Sequence, residues 1–99
     1  MKPALAFLAQ ALAQINDLAG AASYYKKAVK FQPTDPAVRK HYAAVLRRLG
    51  RHAAAVAQYR RLVETVPSDV HGLIGLGKAL FDSGGEKLLL RLDSNVTIS

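Results

Sequence analysis

The sequence predicts an all-α protein built from stacked helical hairpins. Three observations point to it. Turn residues recur at a fixed period, with Asn16, Gly50 and Gly84 standing 34 residues apart, and Pro33 and Pro67 likewise. Small, aromatic and acidic residues keep the same phase, in the pairs Ala21 and Ala55, Tyr25 and Tyr59, and Asp35 and Asp69. Between these marks the apolar residues fall at helical intervals.

Each unit reads as two helices. The first runs from Pro3 to about Ile15, with Leu5, Leu8, Leu12 and Ile15 at helical spacing. Asn16 then stands where a helix needs a left-handed stop, and Gly50 and Gly84 take that place in the later units. A second helix runs from about Leu18 to Phe31, with Ala21, Tyr25, Ala28 and Val29 on one face. Pro33 blocks its continuation. Asp35 can cap the next helix, with Pro36 at the first position. The second unit repeats the plan over about Ala37 to Leu49 and His52 to Thr65, followed by Pro67. The third begins at about Val70 and runs to Asp82. The small residues have a mechanical reason, since two antiparallel helices approach closely only where side chains are short. Ala9 is expected to face Ala21 and Ala28, and Ala43 to face Ala55. Tyr25 and Tyr59 then wedge between one hairpin and the next, their hydroxyls needing water or a partner.

After Gly84 the pattern lapses. Leu89 and Asp93 stand where the small and aromatic residues fall due. The expected organisation is a single domain over residues 1–92, in units 2–35, 36–69 and 70–92. Residues 86–92 are expected to form a short capping helix and residues 93–99 a frayed tail. Either the array ends here or the chain is a piece of a longer protein. Leu88, Leu89, Leu90 and Leu92 either cover the last helix or pair with a second copy, and a homodimer is the favoured outcome.

The chain has 99 residues, 51% of them hydrophobic and 21% charged, which suits one small globular domain with a thin core. It has no cysteine, which excludes disulfides, thiolate zinc sites and a thiol nucleophile. The net charge is +7. Residues 36–69 hold Arg39, Lys40, Arg47, Arg48, Arg51, Arg60 and Arg61 against Glu64 and Asp69. Such a field favours acidic peptides, nucleic acid or anionic lipid. No stretch is long and apolar enough to span a membrane. Lys2 and the residues from Pro3 to Ala13 faintly resemble a secretory leader, but Gln10 and Gln14 interrupt them and the repeat claims them. The expected compartment is the cytoplasm, with the periplasm and the exterior left open.

The residues at these positions resemble the tetratricopeptide repeat family. Its pattern places a large apolar residue, then L-G, an aromatic, A-x-x-x-F and P over 34 residues. Unit one supplies Leu5, Leu8-Ala9, Leu12, Ala21, Tyr25, Ala28 and Pro33; unit two supplies Tyr42-Ala43, Leu46, Ala55, Tyr59 and Pro67. Unit three supplies Leu73, Leu76-Gly77 and Leu80. The resemblance covers residues 2 to about 84. It implies an α-solenoid of helix-turn-helix hairpins, with about two full repeats and a degenerate third. Arg39 departs from it, standing where a large apolar residue belongs. That side chain is expected to be partly exposed, or to pack its stem and keep its head in water.

The resemblance also implies a function. The first helix of each unit lines a concave face that holds a partner protein. The residues there would be Phe7, Gln10 and Gln14 in unit one, beside Ala6. In unit two they would be Lys40, His41, Ala44, Arg47 and Arg48, and in unit three His71, Ile74, Lys78 and Phe81. Cations, amides and aromatics in that mixture suit an acidic peptide or helix. One specialisation of the family grips the C-terminal carboxylate of a chaperone tail with two asparagines, two lysines and an arginine. At those positions this chain has Ala6, Gln10, His41, His71 and Gly75, and none is the required type.

Other chemistry finds little support. His41 and His71 lack a third ligand, so no metal is expected, and no cofactor is implied. There is no G-x-S-x-G, no H-E-x-x-H and no phosphate-binding glycine loop, so the chain is not expected to be an enzyme. Gly72, Gly75 and Gly77 lie within a helix, where they are expected to weaken it. Asn95-Val96-Thr97 fits a glycosylation sequon without a secretory context. Two alternatives stay open. One is nucleic-acid binding by the seven basic residues of the second unit. The other is an accessory module of a larger enzyme.

Overall fold

The computed structural model describes residues 2–85. Five helices follow in order: α1 (Lys2–Gln14), α2 (Leu18–Phe31), α3 (Pro36–Arg48), α4 (His52–Thr65) and α5 (Val70–Leu80). A π-type turn spans Phe81–Gly85. Among the described residues there is no strand. Each helix packs on its neighbours in sequence, so α1 and α2 form one hairpin, α3 and α4 the next, and α5 begins a third. The expectations for residues 86–99, including the capping helix, the frayed tail, the sequon and the leucine-mediated pairing, lie outside the described residues.

The helix stops are backbone devices. Asn16 and Gly50 adopt positive φ, at 68° and 82°. After α1 the Asn16 N–H donates to the Ala13 carbonyl at 3.0 Å, and the Asp17 N–H to that of Leu12 at 2.8 Å. After α3 the Gly50 N–H donates to Arg47 at 3.0 Å, and the Arg51 N–H to Leu46 at 2.9 Å. This double closure satisfies carbonyls that a helix end leaves open. Gly84 is left-handed too, with φ 130°. Helix α5 ends at Leu80, two residues short of the expected Asp82. There the Ser83 hydroxyl donates to the Leu80 carbonyl at 3.0 Å, offering the backbone a local alternative to the helical ladder.

The helix starts follow the same period. Asp35 accepts from the N–H groups of Ala37 and Val38 at 3.0 and 3.5 Å, and Asp69 from those of His71 and Gly72 at 3.0 and 3.3 Å. Asp17 caps α2 through the Gly20 N–H at 3.0 Å. Its counterpart 34 residues on is Arg51, and α4 starts with no side-chain cap.

The core is a seam of small side chains. Ala9, Ala21, Ala28, Ala43 and Ala55 are fully buried, and Leu46 and Leu62 are the largest of the fully buried side chains. The two repeat tyrosines are buried at the joints between hairpins. The Tyr25 ring lies 6.1 Å, centre to centre, from the His41 ring on α3. The Tyr59 ring lies directly on the backbone of Gly75 on α5, where a Cβ would overlap it. These joints are equivalent, since 25 and 59, and 41 and 75, are each 34 apart.

The glycines of α5 therefore do more than weaken it. Gly72 and Gly75 are buried, with Leu62 and Tyr59 packed against their bare backbones. Gly77 alone matches the expectation, because a Cβ there would meet nothing within 4 Å. It sits on a face of α5 with Leu73 and Leu80, which are 47% and 39% exposed. On α3 the counterpart residues Arg39, Ala43 and Leu46 are buried.

Two substitutions separate these roles. Gly77→Ala is expected to raise stability by up to ~1 kcal/mol through helix propensity. Gly75→Ala is expected to lower it by about 1–3 kcal/mol, because the Tyr59 ring must shift. Urea denaturation of both variants checks the opposite signs.

Candidate partner-binding cleft

A cleft of about 350 Å³ lies between α3 and α5. Lys40, His41, Ala44 and Arg47 line it from α3, and His71, Ile74 and Lys78 from α5. The helical repeat explains the set. Residues 40, 44 and 47 share one face of α3, as residues 71, 74, 75 and 78 share one face of α5. Tyr59 from α4 and Gly75 complete the lining, and both are buried. The sequence assigned Tyr59 to the joint between hairpins, and Gly75 both to helix weakening and to one of the five positions that grip a carboxylate in the chaperone-tail specialisation. The joint and the cleft are two sides of one contact, the Tyr59 ring on Gly75.

The cleft has charged ends and an apolar middle. Lys40 Nζ stands 4.0 Å from Asp69 Oδ2, and Arg47 Nη1 stands 3.7 Å from Asp82 Oδ2. The two cationic side chains are about one-third exposed, so water screens both pairs and each contributes little to stability. Asp69 acts twice, capping α5 with Oδ1 while Oδ2 faces Lys40. Between these ends lie Ala44, Gly75 and Ile74, whose side chain is half exposed. Guanidinium, ammonium and imidazole groups around an apolar floor can receive carboxylates and one apolar side chain. Among the described residues no group of three or more His, Asp or Glu is placed to hold a metal ion.

Five other residues expected on this face do not line the cleft. Phe7, Gln10 and Gln14 are exposed along α1 and do not line the cleft. Phe81, 52% exposed, sits in the turn after α5. Arg48 is rotated about 100° around α3 from Arg47, and its Nη2 donates to Asn16 Oδ1 at 3.5 Å.

Arg39 is neither exposed nor snorkelling. It is buried, its Nη1 donating to Gln58 Oε1 at 2.6 Å and its Nη2 to the Pro33 carbonyl at 2.9 Å. Burial, and secondarily the charge of Arg61, lowers its pKa from the usual arginine value. Its stem fills the large apolar position while its head ties α4 to the turn before α3. The seven basic residues of unit two therefore do not form one stripe. Arg39 is buried, Lys40 and Arg47 line the cleft, and Arg48 faces Asn16. Arg51 borders a separate groove with Lys26 and Tyr42.

Burial raises the pKa of Tyr25, and that of Tyr42 despite the opposing charge of Arg51. Both phenols then ionise later in the folded chain than in the unfolded one. Their contribution is fully present below the unfolded tyrosine value of about 10 and is lost as pH rises through the folded value. The melting temperature is expected to fall above that pH, and Tyr25→Phe with Tyr42→Phe to flatten the fall. Thermal scans across the alkaline range check it.

The family model for the tetratricopeptide repeat matches residues 12–77, two-thirds of the chain. A search of curated proteins returns no match. Repeats of this family generally mediate protein–protein interaction and are typically non-catalytic scaffolds. Among the described residues no helix is long and apolar enough to cross a membrane. With its 34-residue period, its left-handed stops and its buried alanine and tyrosine joints, the chain belongs to the tetratricopeptide repeat family.

Proposed function

We propose that this domain is a non-catalytic scaffold that holds an acidic segment of a partner protein in the α3–α5 cleft. The observation that carries the reading is the lining itself. Lys40, Arg47 and Lys78 surround Tyr59 and Ile74 in a single cleft, in a family whose repeats bind proteins. Carboxylates would meet charge-assisted donors at the rim, and an apolar side chain would cover the exposed flank of Ile74. Nucleic-acid binding is disfavoured by the dispersal of the seven basic residues and by the burial of Arg39.

Fluorescence anisotropy with a labelled glutamate-rich peptide tests the reading. Lys40→Glu with Lys78→Glu is expected to weaken binding about tenfold or more, while Arg60→Glu with Arg61→Glu leaves it within about twofold. Circular dichroism confirms that both variants fold. Equal loss in the two variants, or no peptide binding by the wild type, would overturn it.

A further inference from the structure

The cleft carries a spacing as well as a charge. Lys40 and Arg47 are seven residues apart on α3, and so are His71 and Lys78 on α5, a rise of about 10 Å along each helix. Both are first helices of their units and run in the same sense. The two ion pairs mark the ends of the cleft: Asp69, two residues before His71, faces Lys40, and Asp82, one turn after Lys78, faces Arg47. One end therefore holds Lys40 and His71, and the other Arg47 and Lys78. The centre is apolar, with Ile74 half exposed beside buried Tyr59.

We infer that the cleft selects an amphipathic helix carrying two acidic side chains seven residues apart, with an apolar side chain on the same face midway between them. The inference rests on the function proposed above. The ligand's backbone must deliver three side chains to one side at this spacing. In a helix, positions i, i+4 and i+7 share a face and span about 10 Å. A β-strand cannot match this, since residues i and i+3 span the distance but point to opposite sides. A polyproline helix aligns i and i+3 at about 9 Å, yet turns the residues between them away from Ile74. The helical ligand repeats the spacing of the two walls that hold it. Asp69 and Asp82 compete with the ligand's acids, so Arg47 exchanges one carboxylate for another on binding.

The test uses the full chain and three labelled peptides of matched composition on an alanine-rich background. The first has glutamates at positions 1 and 8 with leucine at 5. The second moves the leucine to the opposite helical face. The third is the first with a central proline. The first peptide is expected to bind about tenfold tighter than either of the others, and to gain helical circular dichroism on binding. Asp82→Asn, which leaves Arg47 to the ligand, is expected to tighten the first peptide about threefold or more. Equal binding of all three peptides, still lost in the Lys40→Glu and Lys78→Glu chain, would overturn the helical spacing and leave the acidic-partner reading standing. Binding of none of the three by a chain that still binds the glutamate-rich peptide would overturn the inference alone.

Discussion

The Tyr59 ring on the bare backbone of Gly75 is the contact on which the rest of the structure depends. It is a close approach between the second hairpin and the third, possible because no Cβ intervenes. The ring takes up volume that a side chain at position 75 would fill, so α5 lies against α4 at short range. The same ring, seen from the other side, lines the cleft between α3 and α5. Packing and site are thus one feature. At the equivalent joint between the first two hairpins, His41 stands where Gly75 stands, and the rings of Tyr25 and His41 meet instead.

The electrostatics follow from where the helices stop and start. Asp69 caps α5 as Asp35 caps α3, since both terminate a turn that a proline enforces. The cap of α5 also faces Lys40, so a residue that starts a helix tempers the charge of one end of the cleft. Asp82, beside the turn at Ser83, does the same for Arg47 at the other end. A formal charge of +7 therefore overstates how basic the cleft is. Much of the excess sits on other surfaces, and Arg39 is enclosed by neutral acceptors.

Much of this was legible in the sequence wherever the repeat was regular. The period located the left-handed stops at Asn16, Gly50 and Gly84, the caps at Asp35 and Asp69, and the buried alanines and tyrosines. Features that break the period were harder to read. Asp17 caps α2, but Arg51 at the matching position hid the signal. The burial of Arg39 depends on Gln58 and the Pro33 carbonyl, which no local pattern connects to it. Of the residues expected on the partner-facing side, Phe7, Gln10 and Gln14 belong to a helix that does not border this cleft. Arg48 was one residue out of phase on a surface where 100° decides the outcome.

Native-state hydrogen exchange on Tyr59→Ala measures most directly whether this ring holds the third hairpin and its cleft wall. In a stack stabilised by nearest-neighbour contacts, the amides of α5 lose protection while those of α1 and α2 keep it. Protection lost evenly over all five helices, or unchanged in α5, would contradict the central place given to that contact.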